Sequence, residues 1–298
     1  MGRRARRPRV PLARDLRRLH LDNMDANPTL ARLPTLFIPH GGGPCFFMDP
    51  PPGDPHAWDA MAAYLRSIAA SIGAKPRTIL VISAHWEMPR PTVMTAERSP
   101  LLFDYYGFPE HTYRLEYPAP GSPELAARVR ALLAAAGIAS DEDAARGFDH
   151  GVFVPFLLMF PDADVPVVQL SLRGDLDPAA HIALGRALAP LRDEGVLIVG
   201  SGMSYHNLRR FWSTDAHDVE AARAFDAWLA DTVEAAGASE REARLAAWMH
   251  APGARSAHPR SEHLLPLMVA AGAAAGDRGV RTYRDRIFGK AVSGFRFG

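Results

Sequence analysis

The chain has 298 residues, with 34 lysines and arginines against 33 acids, 48% hydrophobic residues and 22% charged residues. Such a composition belongs to a globular protein and excludes a disordered chain, a coiled coil or a collagen-like fibre. The net charge of +1 hides an uneven distribution: residues 1–25 carry eight arginines and three acids, or +5, and the rest of the chain carries −4. A basic arm is one signature of nucleic-acid binding or of targeting. This arm lacks the apolar core of a secretory signal, and only Lys75 and Lys290 are lysines, so arginine-rich runs reflect a general bias of the chain. Residues 1–30 are therefore expected to form a disordered basic extension, and residues 31–298 a single folded domain that binds no nucleic acid. Cys45 is the only cysteine. It excludes an intrachain disulfide and a cysteine-based metal site, and it fits a reducing cytoplasm, the expected location. No apolar run reaches the roughly 18 residues of a membrane span, so no membrane partner is expected.

In chain order, short continuous apolar runs predict buried strands at Thr35–Ile38, Thr78–Ser83, Thr92–Thr95, Val165–Leu170 and Val196–Gly200. Continuous rather than alternating hydrophobicity indicates strands covered on both faces. Helical patterns lie between them, at His56–Ile72, Ser122–Ala136, Gly151–Phe160 and Pro178–Leu191. Ser122-Pro123-Glu124 and Asp177-Pro178 combine a capping side chain with a first-turn proline. The later chain reads as mostly helical, at Asp218–Glu234, Glu240–Trp248 and Glu262–Ala275, with a weaker terminal segment at Arg281–Phe288. Alternating strands and helices predict an α/β fold: one domain with a central, mostly parallel or mixed sheet flanked by helices.

Three of the twelve histidines follow predicted strands: His40 after the first, His85 after the second, and His206 beyond the strand ending at Gly200. Ligands of open α/β sheets bind at the carboxyl ends of strands, so these three converge on one edge. A single histidine is more often structural; three at equivalent positions indicate a site. Gly41-Gly42-Gly43 permits a sharp turn and close approach to a ligand, but no Lys-Ser/Thr follows, which argues against a phosphate loop. His150 lies at a predicted helix start, and His263 in the first turn of a helix that Ser261 is expected to cap. Neutral imidazole is a common ligand of zinc, iron and copper. His20, His56, His181, His217 and His250 read as surface residues.

Taken together, Pro39-His40-Gly41-Gly42, Ser83-Ala84-His85-Trp86, Tyr105-Tyr106-Gly107-Phe108-Pro109, Tyr117-Pro118-Ala119-Pro120-Gly121, Asp149-His150-Gly151, Gly200-Ser201-Gly202 with His206-Asn207-Leu208, and Glu262-His263-Leu264-Leu265-Pro266-Leu267 resemble the DOPA-type extradiol ring-cleavage dioxygenases of the LigB superfamily. The resemblance spans most of residues 33–270, and it implies a single α/β catalytic domain. It implies that His40, His85 and His263 bind a metal, that His206 is an active-site histidine or a fourth ligand, and that His150 lies near the substrate. It further implies an enzyme that opens a DOPA-like catechol with dioxygen to a muconic semialdehyde, using Fe(II), with Zn(II) able to occupy the same site. The alternative is a zinc-binding protein of this fold, either hydrolytic, with His206 or Glu262 as base, or non-catalytic. Tyr105, Tyr106, Phe108 and Tyr117 are candidates for an aromatic pocket, with core packing as the competing role. Monomer and dimer both remain open.

Overall fold

A computed structural model describes Gly2, residues 31–234 and residues 237–298; apart from Gly2, the expected basic extension at residues 1–30 lies outside the described residues. Strand β1 (Thr35–Pro39) is fully buried and leads through a glycine turn to helix α1 (Asp59–Ser71). Strands β2 (Thr78–Met88) and β3 (Thr92–Met94) follow, then α2 (Pro123–Ala135), β4 (Asp141–Asp143) and α3 (His150–Met159). The chain continues through β5 (Val167–Arg173), α4 (Pro178–Leu188) and β6 (Val196–Gly202). Helices α5 (Ala216–Glu234), α6 (Ala238–Ala246), the short α7 (Ala254–Ala257) and α8 (Leu265–Ala273) precede a terminal hairpin, β7 (Gly279–Ile287) and β8 (Lys290–Phe297).

These strands form one sheet in the order β4-β3-β5-β2-β6-β1-β8-β7. Its centre is parallel: β2 pairs with β5 and β6, and β1 with β6. Antiparallel pairing appears at β3–β5, β1–β8 and β7–β8, so the sheet is mixed. Because β1, β2 and β6 are parallel neighbours, their carboxyl ends share one edge. The expected α/β architecture is borne out, and Arg32–Gly298 form one compact unit.

Strand β6 shows how the layers meet. Its side chains alternate between faces. A Cβ on Gly200 would overlap the carbonyl oxygen of Pro266, and one on Gly202 that of His263. Ser201, between them, points to the other face and donates its hydroxyl to the Gly151 carbonyl. Thus β6 packs the start of α8 against one face and the start of α3 against the other. Both helices are buried along almost their whole length, α3 as HGVFVPFLLM and α8 as LPLMVAAGA, as expected of helices apolar on every side.

Three expectations need correction. Arg281–Phe288 belongs to a β-hairpin rather than to the helical run. In β7 the exposed residues are Val280, Thr282, Arg284 and Arg286, which is strict two-residue alternation. Arg281 and Asp285 occupy inward-facing positions, however, so the apolar Tyr283 and Ile287 stand four apart and mimic a helix. β8, unread in the sequence, completes the sheet on β1. His181 is fully buried rather than on the surface; its Nδ1 donates to the Asp177 carbonyl, and its Nε2 accepts the Arg173 N–H, joining α4 to β5.

Gly202→Ala would drive a methyl group into the His263 carbonyl. Overpacking of this kind costs about 1–3 kcal/mol. A urea midpoint lowered accordingly is expected, and an unchanged midpoint would show that the β6–α8 approach is not tight.

Candidate metal centre and active site

Strand β1 ends at Pro39, and the His40 N–H is bonded to the Gly202 carbonyl at 3.2 Å, so the first histidine is clamped to the end of β6. Gly41 (φ +81°) then turns the chain into the site. His85 is not beyond β2, as expected, but inside it. Ile82 pairs with Leu170 and Glu87 with Leu172, so β2 carries an insertion against β5 at Ser83–Trp86. Bulges of this sort re-aim side chains near active sites. His150 is the first residue of α3, and His206 lies in the loop after β6, its N–H bonded to the Ala257 carbonyl. His263 precedes α8 rather than lying in its first turn. The Ser261 carbonyl, not its side chain, receives the N–H groups of Leu264 and Leu265 there.

The five imidazoles cluster. Ring centroids of His40 and His85 are 4.9 Å apart, those of His85 and His150 3.9 Å, and His206 stacks on His263 at 3.3 Å. The donor atoms of His40, His85 and His263 all lie within 4.8 Å of one another; His206 falls in a separate group with Glu262 and His263, and His150 in a group with His85 and Asp104.

The hydrogen bonds settle the tautomers. Ser201 has one hydroxyl proton, which it donates to Gly151, so it can only accept at its 3.0 Å contact with His40 Nδ1. His40 therefore carries its proton on Nδ1 and leaves Nε2 as a lone pair. The Nδ1 of His263 is 3.0 Å from Glu262 Oε1, and that of His206 is 3.2 Å from the same oxygen. The Nδ1 of His150 is 2.7 Å from Asp104 Oδ1, which also receives the His150 backbone N–H. A carboxylate only accepts, so these imidazoles likewise leave Nε2 free. Ligand histidines are usually oriented through the other ring nitrogen in this way. Glu262 is turned to the rear of two imidazoles, a position unlike that of a base acting on substrate.

Burial and then mutual repulsion hold His40 and His263 well below the ordinary imidazole range, and burial together with His150 takes His85 down to about 3. Burial raises Asp104, but hydrogen bonding and charge from His150 outweigh it and leave its carboxyl below the usual range; His206 does the same for Glu262. The cluster is thus three neutral imidazoles, of which His40 and His263 are backed by acceptors. His40 Nε2 and His85 Nε2 are 3.2 Å apart. With metal–nitrogen bonds of about 2.1 Å, neighbouring ligands at roughly 90–110° stand about 3.0–3.4 Å apart, so this donor set fits a divalent transition metal.

Two polar residues to which the sequence analysis gave no role support the cluster. Asp104 binds His150 and lies 3.7 Å from His85 Nδ1. Asp149 is fully buried and receives Ser83 Oγ at 2.6 Å, Gln169 Nε2 and Arg146 Nη2 at 3.0 Å. Arg146 also donates to the His85 carbonyl and lies over the Trp86 ring. Ser201 was legible only as part of Gly-Ser-Gly; strand alternation is the signal for its role. The imidazoles floor a cavity of about 370 Å³. Tyr105 and Phe108 line it, whereas Tyr106 is exposed and Tyr117 is buried against Phe156. Cys45 also lines it; burial pushes its thiol up to about 12, so it stays protonated.

A family model described as the catalytic LigB subunit of aromatic ring-opening dioxygenase matches residues 34–292. The chain is 47% identical over 201 residues to the 4,5-DOPA dioxygenase extradiol of Beta vulgaris, covering 67% of this chain and 74% of that protein. It is 37% identical over 292 residues to dioxygenase tasH of Hapsidospora irregularis, covering 92% and 88%. With the 4,5-DOPA dioxygenase extradiol of Escherichia coli K12 the identity is 36% over 243 residues, covering 81% and 85%. A crystal structure of an uncharacterized Escherichia coli K12 protein matches with a TM-score of 0.71 at 30% identity, over 90% of this chain and 100% of that one. The chain therefore belongs to the LigB family of aromatic ring-opening dioxygenases and is an extradiol ring-cleavage dioxygenase.

Proposed function

We propose that the enzyme opens the ring of a catechol at a ferrous iron held by His40, His85 and His263, with a muconic semialdehyde as product. The observation that carries this reading is the convergence of the His40, His85 and His263 ring nitrogens, with those of His40 and His85 3.2 Å apart, on the floor of a cavity of about 370 Å³. Bound there, ferrous iron supplies the open positions at which both catechol oxygens and dioxygen meet. Three imidazoles, in place of two and a carboxylate, bring no negative charge, so an anionic catecholate is the favoured incoming form. His150 and His206 each keep a proton on Nδ1, toward Asp104 and Glu262, and offer a bare Nε2 to the cavity. One takes the phenolic proton as the substrate binds; the other orients dioxygen or returns a proton as the ring opens. Both oxygen atoms enter the product, so the reaction needs no outside reductant. Zinc suits the same nitrogens, and a hydrolytic zinc protein would bind metal without consuming dioxygen.

Anaerobically purified protein loaded with ferrous iron should consume dioxygen with at least one of DOPA, caffeate, protocatechuate and gallate, and zinc should not restore the uptake. No uptake with any of the four would sink the reading. A His40→Ala or His85→Ala variant that retained iron and activity would refute the ligand assignment.

Asp104→Asn removes the charge that fixes the His150 tautomer. Loss of such a supporting partner typically costs 10–100-fold, so kcat should fall by about that factor with iron content unchanged. Wild-type kcat in this variant would remove Asp104 from the mechanism.

Acid should destabilise the metal-free protein. An unfolded chain takes up protons on histidine below about pH 6.5. The folded chain refuses them down to about 4 at His258, which burial depresses, and about 3 at His85. The unfolded state then binds more protons, so stability falls as pH drops through that window. The urea midpoint should be lower at pH 5 than at pH 7.5; equal midpoints would contradict neutral burial of these imidazoles.

A further inference from the structure

Above its histidine floor, the cavity changes character. Its walls are Met48, Trp58, Phe108, Leu208, Phe211 and Trp212. Two of these stand unusually open to water: Leu208 is 68% exposed and Trp212 62%. Trp212 is not loosely held. It packs on Phe288 with ring centroids 4.0 Å apart, Phe288 on Phe211 at 5.6 Å, and Phe288 on Trp58 at 6.0 Å. The segment before α1, the loop after β6 and the β7–β8 turn thus build one aromatic wall, continuous from the histidines to the surface. Rigid apolar surface left facing water beside a reaction centre is the usual mark of a ligand groove.

The charged groups closest to the histidine floor are already engaged. Among the described residues the lining carries no lysine, arginine or carboxylate. Asp104 and Glu262 stand behind imidazoles. Arg260, beside the site, makes a two-point pair with Glu87 and lies 3.4 Å from Glu262. An ammonium or carboxylate on the substrate would lose water against this wall and find no counter-charge there, which is costly. An alkyl or aryl group would instead cover the exposed indole and leucine and remove apolar surface from water.

We infer that Leu208 and Trp212 determine specificity, selecting catechols whose ring substituent is uncharged and apolar over catechols bearing an amino-acid side chain. The inference rests on the dioxygenase reading for its chemistry and on the wall for its selectivity, and the two are separable. Metal-free full-length protein, titrated anaerobically by calorimetry, should bind 4-butylcatechol at least tenfold more tightly than DOPA. Iron-loaded protein in an oxygen electrode should give the same order, with kcat/KM at least tenfold higher for 4-butylcatechol and the difference mostly in KM. Trp212→Ala should reduce the binding ratio to less than threefold, and Leu208→Arg should shift it toward DOPA. Both side chains are largely exposed, so both variants should fold; Leu208→Ser serves as a further check. Equal or tighter binding of DOPA by the metal-free wild type overturns the inference, even where catechols are cleaved. A preserved binding order without any oxygen uptake would support the selectivity of the wall and sink the dioxygenase reading instead.

Discussion

The relay from His40 through Ser201 to the Gly151 carbonyl is the interaction on which the rest of the site depends. It ties together β1, β6 and the first turn of α3, the elements that carry His40, the Gly200–Gly202 strand end and His150. It also fixes a tautomer. Because the serine proton is committed to a backbone carbonyl, His40 must donate from Nδ1 and present a bare Nε2 to the cavity. Any residue larger than glycine at position 202 would push His263 away from the same point, so the strand that supplies the relay also sets how close the opposite helix can come.

Around this relay, polar groups are stacked by depth. Nearest the cavity are the imidazoles, kept neutral by burial and by one another. Behind them stand Asp104 and Glu262, whose carboxyl groups stay ionised because they accept imidazole protons. Deeper lies Asp149, where burial works against ionisation while Ser83, Gln169 and Arg146 supply hydrogen bonds. A buried carboxylate without such partners would be costly. With them, it anchors the β2 insertion that turns His85 into the site. Orientation is thus built from the back of the cluster forward, and the front is left free for metal and substrate.

The cavity contrasts with this base. Polar chemistry is confined to its floor, and above the histidines the walls are aromatic and aliphatic up to the solvent. The floor carries the chemistry proposed for ring opening; the wall is drawn from three separate loops, the parts of a fold most free to vary. On the proposed reading, reaction and selectivity would reside in different parts of the same pocket.

Much of this was legible from the residues alone. Continuous apolar runs revealed the central strands because a parallel sheet is buried on both faces. His40 and His206 were marked as site residues because chain order puts them beyond strand ends that parallel pairing must bring together. Other features were hidden for physical reasons. Arg281 and Asp285 occupy inward-facing positions of β7 and disguise a two-residue period as a four-residue one. His181 looks like a helical surface histidine until α4 packs on β5. Asp104, Ser201 and Asp149 act through partners 46, 161 and 66 residues away, separations that no local pattern encodes. Local chemistry and periodicity determined which residues exist and which elements they form. Only tertiary packing decided which acceptor each imidazole faces, because tautomer, charge and aim depend on contacts made across the sheet.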